Sequence, residues 1–215
     1  WIRGKMFAKY RDRVTHLRLY GEIKKELVEK LAHSLNYNPI YNVHLIAVSI
    51  NASGKSIPQA KSIVNLIQEY SRRTQAPVYT FAEDAVLGAA NIIFTSGNKV
   101  HANKYTIVGD FGFDLNQLEL KEFVKEWKLK PQFVTSGTNK VKLNPYEDLK
   151  PEDERWVRNI LNEKELELKQ QILNNRAEKF SKLNLTSEKI EEDIFRQPLL
   201  KAAKLKELAY IDEIA

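Results

Sequence analysis

Glu83-Asp-Ala-Val-Leu-Gly-Ala-Ala-Asn-Ile-Ile93 is the stretch whose reading decides the fold. The β-type run Pro77-Val-Tyr-Thr-Phe-Ala82 leads into it, and the apolar run from Val86 to Phe94, read as a helix, leads out. A strand that turns sharply into a helix presents its turn residue at the helix N-terminus. Unpaired N–H groups and the positive end of the macrodipole meet there and suit a nucleophile or an anion. The turn residue at that place is Leu87, which has no lone pair, no proton to give and no charge.

Upstream, Val14 to Tyr20 alternates and stops at Gly21, the pattern of a half-exposed strand. Glu22 to Leu35 has helical spacing, with Ile23, Leu27, Leu31 and Leu35 on one face. Val43 to Ile50 is a near-continuous apolar run, as in a buried parallel strand. Asn51 to Ser56 reads as a turn, and Ile57 to Arg73 as a helix with Pro58 tolerated in its first turn. Downstream, Val100 and Tyr105 to Val108 read as short strands, and Leu115 to Lys128 as a helix. A long charged helix begins at Lys150 and runs to about Phe180. The tail reads as a short strand from Ile194, a helix over Leu199 to Lys206 and a closing strand at Tyr210-Ile-Asp. Strands and helices alternating through tight turns imply an α/β fold with a mostly parallel sheet and right-handed crossovers.

The 215 residues suffice for a substantial core. With 43% apolar and 29% charged residues the composition is that of a globular chain, not a disordered one. The absence of cysteine excludes disulfides and thiolate metal sites and favours a reducing compartment. The net charge of +6 fits nucleic acid, anionic lipid, a mitochondrial protein or acidic protein partners. Its 34 basic and 28 acidic residues are mostly interleaved, which favours a solvated surface over a nucleic-acid site. The local exception is the start, with Arg3, Lys5, Lys9, Arg11 and Arg13, read as a basic extension over residues 1–13 ahead of a single domain over 14–215. An opening on Trp1 fits removal of a leader.

Several chemical motifs dissolve on inspection. Ser53-Gly-Lys-Ser56 follows a buried strand, but the phosphate-binding loop it resembles needs a glycine at the position of Ser49. Asp110-Phe-Gly112 stands without the other elements of a kinase. His16, His33, His44 and His101 show no metal-ligand spacing, and His16 and His44 read as structural strand residues. No Gly-x-Ser-x-Gly turn exists to present a serine.

In order, these pieces resemble the S49 peptidases, the signal peptide peptidase A and SohB group within the ClpP/crotonase fold. Leu17-Arg-Leu-Tyr-Gly-Glu-Ile23 is similar to the family's first strand. Ile50-Asn-Ala-Ser-Gly-Lys-Ser56 resembles its Ser-Pro-Gly-Gly turn, and Pro77 to Ile92 the segment with Ala-Ser-Gly-Gly-Tyr. Val108 to Phe113 resembles the Gly-Ser-Ile-Gly-Val element, Ser136-Gly-Thr-Asn-Lys140 the Gly-x-x-Lys segment, and Leu199 to Ile214 the closing segment. The resemblance implies repeated β-β-α units with a helical C-terminal extension. It places the nucleophilic serine at Leu87, the general base at Lys140, and a remnant of the oxyanion turn at Gly54, Lys55 and Gly88. Gly88 is kept, but Ala89 and Ala90 replace the second glycine and the tyrosine, and Ser53 and Lys55 replace the proline and second glycine of the oxyanion turn.

A serine–lysine dyad needs a hydroxyl to attack and a neutral, desolvated amine to take its proton. With Leu87 in the serine's place, Lys140 has no task in acyl transfer. The expectation is a degenerate S49 homologue without catalysis or cofactor, serving as a structural subunit. Its partners are expected to be other protein subunits in a homo- or hetero-oligomer, with no nucleic acid and with membrane contact only through partners. The charged helical arm at about 150–180 and the basic start are the expected contact elements. The expected home is the matrix side of the mitochondrial inner membrane, in a respiratory-chain or ATP synthase type of complex. Two other readings stay open: a peptidase with a relocated serine (Ser53, Ser56, Ser96 or Ser136), and a module that holds peptides without cutting them.

Overall fold

The apolar run beginning at Val43 forms the middle of the sheet, because Ile46, Val48 and Ile50 are all fully shielded from solvent. The computed structural model describes residues 13–116, 118–132, 134, 136 and 143–215. By internal contact these divide into two units, one ending at Phe111 and resumed by Leu166–Ala215, the other Gly112–Glu165.

In the first unit, β1 (Arg13–Glu22), β2 (Val43–Gly54) and β3 (Val78–Gly88) pair in parallel in that order. The first half of β3 pairs with β4 (Lys99–Ala102), which in turn pairs with β7 (Glu213–Ile214). The second half pairs with β5 (Ile107–Gly109), and β5 pairs antiparallel with β6 (Leu199–Lys201). Helices α1 (Lys25–Tyr37) and α2 (Ile57–Thr74) make the first two crossovers. On α2, Ile57, Ala60, Ile63, Val64, Ile67 and Tyr70 are buried at helical spacing, one apolar face turned to the core. β1 alternates as expected, with Leu17 and Leu19 inside and His16, Arg18 and Tyr20 outside.

Several expected boundaries are corrected. β3 does not stop at Ala82 but runs to Gly88, and the helix after it, α3 (Ala90–Thr95), is six residues long. Exposed Glu83 and Asp84 interrupt the apolar pattern where β3 changes partner from β4 to β5, so a continuous strand reads as strand, polar break and helix. β2 likewise continues through the expected turn to Gly54, with a ladder irregularity between Ile50 and Ala52. In the second unit the helix expected over Leu115 to Lys128 shrinks to α4 (Lys121–Glu126). Asn116 donates to the Asp114 carboxylate at 2.7 Å, and Leu120 N–H donates to Pro145 O at 2.7 Å, so these groups bond outside a helical ladder.

The long helix α5 (Pro151–Lys182) carries Glu152, Asp153 and Glu154 in its first turn, as the macrodipole favours. Its part within the first unit buries Leu168, Ile172, Arg176 and Phe180, four positions one turn apart. After α6 (Ser187–Ile190) and a π-helical turn at Glu191–Phe195, β6 leads into α7 (Ala202–Glu207). The expected tail is corrected: Ile194 lies in the π-helical turn, Leu199–Lys201 is strand where a helix was expected to begin, and the closing strand is Glu213–Ile214 and not Tyr210-Ile-Asp. Among the described residues no helix is long and apolar enough to cross a membrane.

Candidate functional site at the end of the third strand

Ser53 pairs with Leu87 and Gly54 with Gly88 in the β2–β3 register, so the structure brings two of the three expected oxyanion-turn positions side by side. Both glycines are required by contact. Gly88 has φ +60, and a Cβ there would lie 2.3 Å from Gly54 O. A Cβ on Gly54 would lie 2.9 Å from Ile23 Cβ, while Ile23 N–H donates to Ser53 O at 2.8 Å. The Ala89 N–H donates to Gly54 O at 2.7 Å. This bond carries the closure of β2 against β3 one residue past the paired glycines.

Leu87 is half-buried and lies within β3, one residue short of its end, not at a helix N-terminus as the sequence suggests. Lys55 is exposed and lines an open cleft with Glu22, Lys24, Ser56 and Gln59. Lys140 lies outside the described residues, as do the basic residues up to Arg11 and the segment Gly137–Asn139. Of the serines named as replacements, Ser96 donates its hydroxyl to Ile93 O at 2.7 Å as the end cap of α3, and Ser53 and Ser136 are exposed. Among the described residues no three His, Cys, Asp or Glu side chains gather as a metal site.

Behind the strand end lies a buried polar network that the sequence reading missed. Asn91 of α3 is fully buried and donates to Gly88 O at 3.1 Å and Gly109 O at 3.2 Å, tying the ends of β3 and β5 together. Its Oδ1 accepts from the Tyr210 hydroxyl at 2.8 Å. Burial pushes that phenol well above its ordinary range, the nearby Arg176 charge opposing only in part, so it serves as a donor. Arg176, 2% exposed, reaches from α5 to Ala209 O at 2.8 Å and to both oxygens of Asp212. Burial alone would raise the Asp212 carboxyl, but bonds from Arg176, Lys179 and the Val100 N–H outweigh it and hold the group at about 2. Tyr210 and Asp212 stand in the closing segment whose likeness to the family was visible, and that likeness was the one signal for the network.

A second polar cluster sits on the outer face of the sheet. His16 Nε2 and Ser49 Oγ are 2.8 Å apart, and Tyr20 donates to Glu83 Oε2 at 2.7 Å. The bonds from Tyr20 and then Ser49 hold the Glu83 carboxyl below its usual range against the opposing effect of burial. His16, read from the sequence as a structural strand residue, thus has a side-chain partner on the neighbouring strand. Alternation places His16 outward on β1, but the sequence alone does not set the β1–β2 register that puts Ser49 within reach.

The chain is similar to several known proteins. Na(+)/H(+) antiporters NhaA from Brucella melitensis and Brucella abortus are each 30% identical to it over 108 residues, half of this chain. The chain spans 15% of the length of those antiporters. A point mutant of ClpP1 from Listeria monocytogenes superposes with a TM-score of 0.55 at 16% identity, covering all of this chain and 96% of that one, which shows a shared ClpP-type fold. The description of peptidase family S49 matches residues 70–215, more than half of the sequence and all of the segment from β3 through the Asn91–Tyr210–Asp212 network. The chain belongs to peptidase family S49.

Proposed function

We propose that this chain is a catalytically inactive S49 homologue that acts as a structural or accessory subunit of a larger assembly. The observation that carries the reading is Leu87 at the nucleophile position, beside a β2–β3 ladder closed as far as Gly54 and Gly88. Attack on a carbonyl needs a nucleophile and free donors for the developing charge. Here the first is replaced by the hydrocarbon side chain of Leu87. The assembly is placed in this proposal at a membrane-associated mitochondrial complex of respiratory-chain or ATP synthase type. The basic composition and lack of cysteine support that placement.

A second reading, a hydrolase with a relocated serine, has one observation in its favour: the 2.8 Å contact of Ser49 with His16. A fluorophosphonate probe separates the two. The subunit reading expects no serine to label and the protein to co-migrate with a large complex in extracts of its source. Stoichiometric labelling of Ser49, or migration of the native protein as a free monomer, would falsify it.

A further inference from the structure

Nearly half of the large apolar side chains that stand exposed among the described residues come from Gly112–Glu165, about a quarter of the chain. Several of them converge. Leu115, Leu118 and Leu149 line a groove of about 310 Å³, with Glu119, Glu147 and Glu154 at its rim. No basic side chain is part of the lining among the described residues. The walls are fixed by polar ties outside the apolar floor. Leu120 N–H bonds Pro145 O at 2.7 Å, Asn144 Oδ1 accepts from Tyr146 N–H at 3.1 Å, and Lys121 pairs with Asp148. The groove is therefore formed before anything enters it, and it combines an apolar floor with acid at the edge in a chain whose net charge is +6.

We propose that this groove docks an amphipathic, basic helix of a partner subunit. Leucine-type side chains one turn apart fill the floor, and lysine or arginine side chains on the flanks meet Glu119 and Glu147. Glu154 already holds Arg158 at 2.8 Å and adds shape more than charge. Leu118, 77% exposed, gains most from being covered and is the anchor point of the site. An acidic rim repels anionic lipid and attracts a cationic helix. The inference rests on the subunit reading and names the chemistry of the partner.

The test uses the full chain and a fluorescein-labelled leucine–lysine amphipathic peptide, with a leucine–glutamate peptide of the same pattern and phosphatidylcholine–phosphatidylglycerol vesicles as the other arms. The leucine–lysine peptide is expected to bind at least about tenfold more tightly than its acidic counterpart, and to weaken with salt. Leu118→Asp, at an exposed site that leaves the fold intact by circular dichroism, is expected to weaken binding at least about tenfold. The pair Glu119→Lys and Glu147→Lys is expected to do the same and to raise affinity for the acidic peptide. Absence of binding, undiminished binding by Leu118→Asp, preference for the vesicles, or a dimer of the chain that shuts the peptide out would each overturn the proposal. The two readings fail separately. If Leu118→Asp remains in a large native complex, the groove is wrong and the subunit reading stands. If the native protein is a free monomer that binds the peptide, the reverse holds.

Discussion

Gly88 and Gly21 show what a positive φ costs with and without a neighbour. Both lie at positive φ, but Gly21 faces open space while a Cβ on Gly88 would strike Gly54 O. Gly21→Ala should cost about 1 kcal/mol in urea unfolding, and Gly88→Ala at least about twice that, because the facing strand must shift. Leu87→Ser is the direct test of whether a hydroxyl alone restores chemistry. It should leave peptidase activity at background and fluorophosphonate labelling absent, since position 87 lies within β3 opposite Ser53 and not at a helix N-terminus that would activate a hydroxyl. Asp212 gives a pH signature. Its carboxyl titrates near 2 when folded against an ordinary 3.8, so the unfolded chain binds more protons between those values. Stability from this group, on the order of 2 kcal/mol, is fully present above about pH 5 and is lost as pH falls toward 2. Thermal unfolding followed from pH 6 to pH 2 should show that loss, and Asp212→Asn should flatten it while lowering stability at pH 6, because Arg176 is then buried without its counter-charge.

At the scale of elements, most of the fold was legible because burial follows period. The apolar run of β2, the one-sided face of α2 and the alternation of β1 each carry their own address. The element that matters most for function was the one misread. β3 has two partners along its length, and the exposed pair Glu83 and Asp84 marks the exchange. A polar break in an apolar run looks locally the same whether a strand changes neighbours or ends. The candidate site was legible as positions, since Gly54 and Gly88 do pair, but not as geometry, because a ladder bond such as Ala89 N–H to Gly54 O belongs to register. The long helix α5 was read by its charge, yet half of it is held by a buried row. Ile172→Ala, in the middle of that row and fully buried, should destabilise the protein by about 2–4 kcal/mol in urea unfolding, far more than changes at the exposed Leu166.

Across the first unit as a whole, the sheet is completed from its far end. Leu199–Lys201 pairs with β5, Glu213–Ile214 pairs with β4, and Tyr210 and Asp212 reach Asn91 and Val100 from the same short stretch. Both halves of β3 thus depend, one strand removed, on residues about a hundred positions later in sequence. Such contacts close only after a large loss of chain entropy, and long-range pairing of this kind folds slowly. A fragment ending before Leu199 should bind the dye ANS strongly and aggregate, since the edges of β4 and β5 are then bare. The same order holds on the ribosome. Five of the seven described strands are made and waiting before the segment that seals them emerges, so the nascent chain presents an open sheet edge while about a hundred residues are added and invites a chaperone or a partner subunit to cover it.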